Sequence, residues 1–176
     1  MNDIGLKRGS VQLKSHSSQW AKLFDDEKKL LLGKFPRTIL EIQHGGSTAI
    51  PMIPAKPIID MFAVVPSLRA AGTIRGELER LGYEYRGADG VSERVLYVKG
   101  TPEKRTHHLQ LVERESDEWK NHILIREYFL KHPEVAQEYA KLKISLAEKY
   151  PEDRKSCSRG KDVFIKAVIQ EAKTKQ

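Results

Sequence analysis

Residues Ile58 to Val65 read Ile-Ile-Asp-Met-Phe-Ala-Val-Val, an apolar run far too short to span a membrane and interrupted once, by Asp60. Pro51, Pro54 and Pro57 forbid a helix leading into it. Its length and content predict a strand buried on both faces. Within that strand an ionised carboxylate is costly unless it lies at a strand end or finds a cation. Asp60 therefore needs compensation, and the means of compensation is the first clue to function.

The flanking sequence supplies the other elements. Ser17 to Gly33 reads as a helix, with Trp20, Leu23, Phe24, Glu27 and Leu31 on one stripe, Ser17 as cap and Gly33 as stop. Ile39 to Gln43 reads as a strand, and Ser67 to Leu81 as a helix stopped by Gly82. Tyr83 to Tyr85, Arg94 to Lys99 and Thr106 to Val112, parted by Gly- or Pro-containing turns, are expected as consecutive antiparallel strands beside the Asp60 strand. Three helices follow: Ser116 to Leu130, Pro133 to Tyr150 and Gly160 to Ala172. The expected fold is α+β, a mixed sheet packed with helices and ending in a helical segment. It is expected as one domain over residues 1–176, with 1–16 an N-terminal segment and 116–176 its helical part.

Charged residues make up 31% of the chain and hydrophobic ones 39%, which excludes a disordered or collagen-like polymer. The single cysteine, Cys157, excludes an internal disulfide, and the polar start lacks a signal-peptide core; both point to a soluble protein of the reducing cytoplasm, away from membranes. The net charge of +7 would attract phosphate-bearing partners. Yet Lys28, Lys29, Lys141, Lys143 and Lys149 alternate with acids on expected helices, which reads as solvated surface, and no zinc finger, arginine-rich arm or aromatic RNA-binding signature points to nucleic acid.

Gly45-Gly46-Ser47-Thr48 follows the first strand, and twelve residues, Thr48 to Ile59, separate Ser47 from Asp60. Glycines lacking a Cβ let backbone approach a ligand, and a Gly-Ser loop offers N–H groups and a hydroxyl to phosphates. A Mg²⁺ ion on Asp60 would bridge the same phosphates. Two structural alternatives stand beside this: Asp60 capping backbone or pairing with Lys56 or Arg94, and the glycines making only a tight turn. Phe62 occupies the position, two residues on, where metal-dependent phosphoryl transfer usually wants a second carboxylate. Arg94 and Arg105, on neighbouring strands, are candidate phosphate ligands or partners for Glu.

His44-Gly45-Gly46-Ser47-Thr48-Ala49-Ile50-Pro51 followed by Pro54-Ala55-Lys56-Pro57-Ile58-Ile59-Asp60 resembles the signature of the GrpB family, whose fold is similar to polymerase-β-type nucleotidyltransferases. Leu81-Gly82-Tyr83, Arg105-Thr106-His107-His108-Leu109, Trp119, Arg126-Glu127-Tyr128-Phe129-Leu130, Glu138-Tyr139-Ala140 and Lys161 extend the likeness from Trp20 onward. It implies that Gly46 and Ser47, with Thr48, hold nucleotide phosphates and that Asp60 is a metal ligand. Members fused to dephospho-CoA kinase or acetyltransferase domains imply a nucleotide- or coenzyme-linked setting. The family's His-x-His pair is here His108-Leu109-Gln110, leaving Asp60 and His108 as an incomplete metal pair, since glutamine is a poor ligand. Its Tyr-Thr-x-x-Lys is here Cys157-Ser158-Arg159-Gly160-Lys161, and Lys161 is carried over as a phosphate contact. His107 and His108, adjacent in a strand, should face opposite sides.

Two functions follow. One is Mg²⁺-dependent nucleotidyl transfer to a small acceptor, with Asp60 on the metal, Ser47 on the phosphates and Lys56 offsetting developing charge. The other is a non-catalytic module binding a nucleotide or coenzyme fragment, which Phe62 and Gln110 favour. Walker, zincin, hydrolase-elbow and Cys-x-x-Cys patterns are absent from the sequence, and Cys157, expected in a polar turn, lacks a committed histidine.

Overall fold

The computed structural model describes residues 4–175. Helix α1 (Gln19–Lys34) leads to strand β1 (Glu41–Gly45), a 3₁₀ turn at Ser47–Ala49 and strand β2 (Ile59–Val65). Helices α2 (Leu68–Ala71) and α3 (Arg75–Arg80) precede strands β3 (Tyr83–Gly87), β4 (Arg94–Thr101) and β5 (Lys104–Glu113). Helices α4 (Asp117–Lys131), α5 (Pro133–Lys149), α6 (Arg154–Arg159) and α7 (Asp162–Thr174) follow. Among the described residues the strands form one mixed sheet in the order β1-β2-β5-β4-β3, antiparallel throughout except for the parallel pair β2–β5. The α+β expectation holds, and β3 to β5 are the expected antiparallel run.

Both faces of β2 are covered, as its apolar run requires. On one, Met61 and Leu109 pack with Trp20, Phe24 and Leu31 of α1 and Leu78 of α3. On the other, Phe62, Val64 and Val112 pack against Trp119 of α4. The proline-rich loop sends Ile50 and Ile53 into a separate cluster with Phe129, Ala136, Tyr139 and Val168 of the C-terminal helices. Those two side chains anchor the loop between sheet and helices, which fixes the approach to Asp60.

Several boundaries differ from expectation for identifiable reasons. The first strand runs to Gly45, beyond the expected Gln43, because its ladder continues until Gly45 meets Asp60. Gly33 does not stop α1; buried Phe35 caps it instead, donating its N–H to Leu31 O at 2.9 Å. The helix expected from Ser67 to Leu81 breaks at Gly72–Ile74, where glycine's low helix propensity is joined by the Thr73 hydroxyl donating to Ala70 O at 2.8 Å. Residues 154–159 form a helix where a polar turn was expected, and Cys157 is buried in it beside Val11 and Leu146. Gly160 lies before α7 rather than opening it, and a Cβ there would overlap Leu146 Cδ2.

Candidate functional site

Asp60 is the second residue of β2, on the face shared with Phe62. Register places it between Gly45 of β1 and His108 of β5. The next residue, Gly46, has φ +63°, and a Cβ there would overlap Asp60 Oδ2, so glycine is required both for the turn and for the carboxylate's position. The Gly-Ser bend and the acid are thus neighbours. His108 Nδ1 lies 2.9 Å from Asp60 Oδ1. Burial pushes the Asp60 carboxyl up, but the His108 hydrogen bond and charge, with Lys56, outweigh it and hold the group below its ordinary range. The side chain retains 30% exposure, enough to meet a ligand.

Asp60 faces a cavity of about 250 Å³ floored by the sheet and roofed by α5 and α6. Lys56 enters from the proline-rich loop, Lys143 and Tyr139 from α5, and Lys161 from the start of α7. Desolvation, reinforced by Lys161 and Arg154, lowers Lys56 to about 8 against the pull of Asp60. Desolvation with Lys161 and Lys56 lowers Lys143 to about 7. Lys143 is 6% exposed and donates to Pro54 O at 2.5 Å, across the Tyr139 ring. Tyr139 is raised above its ordinary range, first by burial, while a Ser47 side-chain hydrogen bond opposes the shift. The electrostatic character is plain: several cations converge where Asp60 is the one lining carboxylate among the described residues.

Of the residues singled out in the sequence, Gly46, Ser47, Thr48, Lys56 and Asp60 line this cavity together, as do Arg94, His108 and Lys161. Arg105 does not; it lines a neighbouring hollow, donates to Gly100 O at 2.7 Å and ion-pairs with Glu84. Arg94 is engaged by Gln110 and, at 3.3 Å, by Glu118. Both arginines therefore have acidic partners. The Thr48 hydroxyl lies 2.9 Å from His44 Nε2 and is buried. Asp60 hydrogen-bonds His108 rather than pairing with Lys56 or Arg94. The histidines do divide between faces: His107 is buried on the α1 side and lowered to about 4, chiefly by desolvation, whereas His108 faces the cavity.

Mg²⁺ prefers near-octahedral oxygen ligation. Among the described residues no group of three or more His, Cys, Asp and Glu side chains is placed to hold a metal. Asp60 already binds His108 through one oxygen, and buried Phe62 packs tilted against the His122 ring with centroids 3.9 Å apart, where a second carboxylate would be needed. Lys56, Lys143 and Lys161 would repel a divalent cation. The donor set does not fit a resident Mg²⁺.

Lys143 and Tyr139 are the site residues that sequence reasoning missed, and reading Lys143 as solvated surface is corrected by its burial. The signal was present: Ala136, Tyr139, Lys143 and Leu146 fall on one helical stripe, all buried.

The family model described as GrpB protein matches residues 10–171. The chain is 38% identical over 172 residues to the glutamate-rich protein GrpB of Alkalihalophilus pseudofirmus, covering 96% of this chain and 99% of that protein. It is also 38% identical over 163 residues to the UPF0157 protein YqkA of Bacillus subtilis, covering 93% of this chain; the chain spans about half, 47%, of that protein's length. The crystal structure of GrpB from Enterococcus faecalis superposes with a TM-score of 0.86 at 33% identity, over 93% of this chain and 98% of that one. The Cid1 poly(U) polymerase, solved with MgGTP bound, shares the fold at a TM-score of 0.53 and 15% identity, over 77% of this chain and 44% of that one.

Proposed function

The chain belongs to the GrpB family, and from that premise we propose that its Asp60 cavity binds the phosphate groups of a nucleotide or similar small molecule through lysines, without a resident divalent ion. The carrying observation is charge. Lys56, Lys143 and Lys161 surround a cavity in which Asp60 is the only lining carboxylate among the described residues, and Asp60 already faces His108. Lys143 is buried and Lys56 and Lys161 are partly so, and ammonium groups lining one cavity destabilise one another unless an anion enters. Ser47 and the Cβ-less Gly46 give that anion a close approach beside Asp60. The nucleotidyltransferase-like fold supports a nucleotide as the phosphate carrier.

Nucleotidyl transfer, with Asp60 as the catalytic carboxylate and Lys56 offsetting charge, is the second reading. It is favoured by the contact between Asp60 and the Gly46 bend. Phe62 and the Gln110–Arg94 bond weigh toward binding without turnover.

A thermal-shift screen of nucleoside triphosphates, with Mg²⁺ or with chelator, separates the two. A triphosphate at ~100 times its dissociation constant stabilises by roughly 2.7 kcal/mol, a rise of about 5 to 10 °C for a chain of this size. The proposal expects that rise in chelator. A rise confined to Mg²⁺-containing samples, with release of pyrophosphate that Asp60→Asn abolishes, would replace it with the transfer reading.

A further inference from the structure

Beside the Asp60 cavity lies a wider hollow of about 680 Å³, the size that accepts one small molecule. Its floor is apolar, made by Ile58 and by Leu96 and Val98 of β4, all buried. Its walls come from separate stretches of chain: Lys7 and Arg8 before α1, Arg86 and Arg105 on the sheet, Arg154 and Lys155 on α6. Eight of its nineteen lining residues are Lys or Arg and three are acids, an excess of five positive charges. The whole chain carries only +7, so much of its net charge is gathered around this hollow.

That charge is offset only in part within the protein. Glu84 pairs with both Arg86 and Arg105, and Asp153 caps α6 by accepting from Ser156 N at 3.0 Å. Among the described residues no carboxylate forms an ion pair with Lys7, Arg8, Arg154 or Lys155. The N-terminal wall is also fixed in place. Leu6 and Arg105 exchange backbone hydrogen bonds at 3.0 and 2.8 Å, Arg8 N donates to Pro102 O at 2.7 Å, and Val11 N donates to Pro151 O at 2.7 Å. Like charges held facing each other around a hollow raise its affinity for anions.

We propose that this hollow is a second ligand site, one that takes a small organic phosphate with its phosphate on the basic walls and its carbon skeleton on Ile58, Leu96 and Val98. The hollow meets the Asp60 cavity along shared residues that include Lys56 and His108, so occupants of the two sites face each other there. Two sites joined in this way suit a protein that brings two phosphate-bearing molecules together. The second site stands on Arg8, Lys155 and their neighbours and does not depend on what the Asp60 cavity binds.

The probe is 1-naphthyl phosphate, titrated by its fluorescence against the full chain, with 1-naphthol as the uncharged control. Arg8 and Lys155 are exposed and line only the wider hollow, so the double substitution Arg8→Glu, Lys155→Glu should leave the thermal melt unchanged. It is expected to weaken probe binding about tenfold or more, while Lys143→Met changes it less than about twofold and 1-naphthol does not bind. No binding by the wild-type chain at millimolar probe would overturn the proposal. So would charge reversal without effect, or loss of the probe in Lys143→Met, which would put it in the Asp60 cavity. A uridine oligonucleotide that displaces the probe and is itself lost on charge reversal would make the hollow a nucleic-acid face instead.

Discussion

Replacing Lys143 by methionine separates a binding lysine from a structural one, because the proposal predicts opposite signs for stability and affinity. Lys143 is 6% exposed and its ammonium is lowered from 10.5 to about 7, mainly by desolvation and then by Lys161 and Lys56. The unfolded chain therefore holds a proton between about pH 7 and 10.5 that the folded chain lacks. The penalty is complete below pH 7 and is relieved as pH rises through that window. At pH 7 a shift of this size corresponds to on the order of 4 kcal/mol of unfavourable free energy. Methionine fills much of the same space but leaves the Pro54 carbonyl without its 2.5 Å donor, which costs about 1 to 3 kcal/mol. The expected result is a stabilisation of roughly 1 to 3 kcal/mol at pH 7, read from urea melts, and a flatter rise in stability toward pH 10. Titration with tripolyphosphate should show affinity falling about tenfold or more. A destabilised variant that binds tripolyphosphate normally would refute the reasoning, since Lys143 would then be a structural donor only.

Other substitutions probe the remaining contacts. Gly46→Ala places a Cβ against Asp60 Oδ2 at φ +63°; a loss of about 1 to 3 kcal/mol in chemical denaturation is expected, with tripolyphosphate affinity lost in parallel. Asp60's folded carboxyl lies below its ordinary value, so its contribution to stability is present above about pH 4 and is lost as pH falls through the folded value. Asp60→Asn should therefore flatten the acid limb of the stability profile, and an unchanged limb would show that His108 does not hold the carboxylate ionised. Glu27→Gln removes the charge that partners Lys99 at 2.7 Å and accepts from the Tyr83 hydroxyl at 2.8 Å; a loss of roughly 2 to 4 kcal/mol in thermal or urea melts is expected, without change in anion binding.

The sheet was legible in the sequence where hydrophobic pattern and chain breakers agree. The run from Ile58 to Val65 announced β2, and the glycine pair before the prolines announced the bend that adjoins Asp60. The helix at 154–159 was not legible because its sequence, Arg-Lys-Ser-Cys-Ser-Arg, buries only Cys157 and so has no periodicity to detect. Lys143 was hidden by residue type: on an amphipathic helix lysine is almost always solvated, and only its place on the stripe of Tyr139 and Leu146 marked it as inward. The Arg94–Gln110 and Arg105–Glu84 contacts depend on strand register and side-chain reach, which composition and spacing do not encode.

The most direct measurement is calorimetric titration of a nucleoside triphosphate at pH 8 in excess chelator, repeated in two buffers of different ionisation enthalpy. Phosphate entering between Lys56, lowered to about 8, and Lys143, lowered to about 7, should draw protons onto them. Metal-free binding with net uptake of roughly one proton is the expected result. Binding that appears only when Mg²⁺ is restored, with no proton taken up, would contradict it.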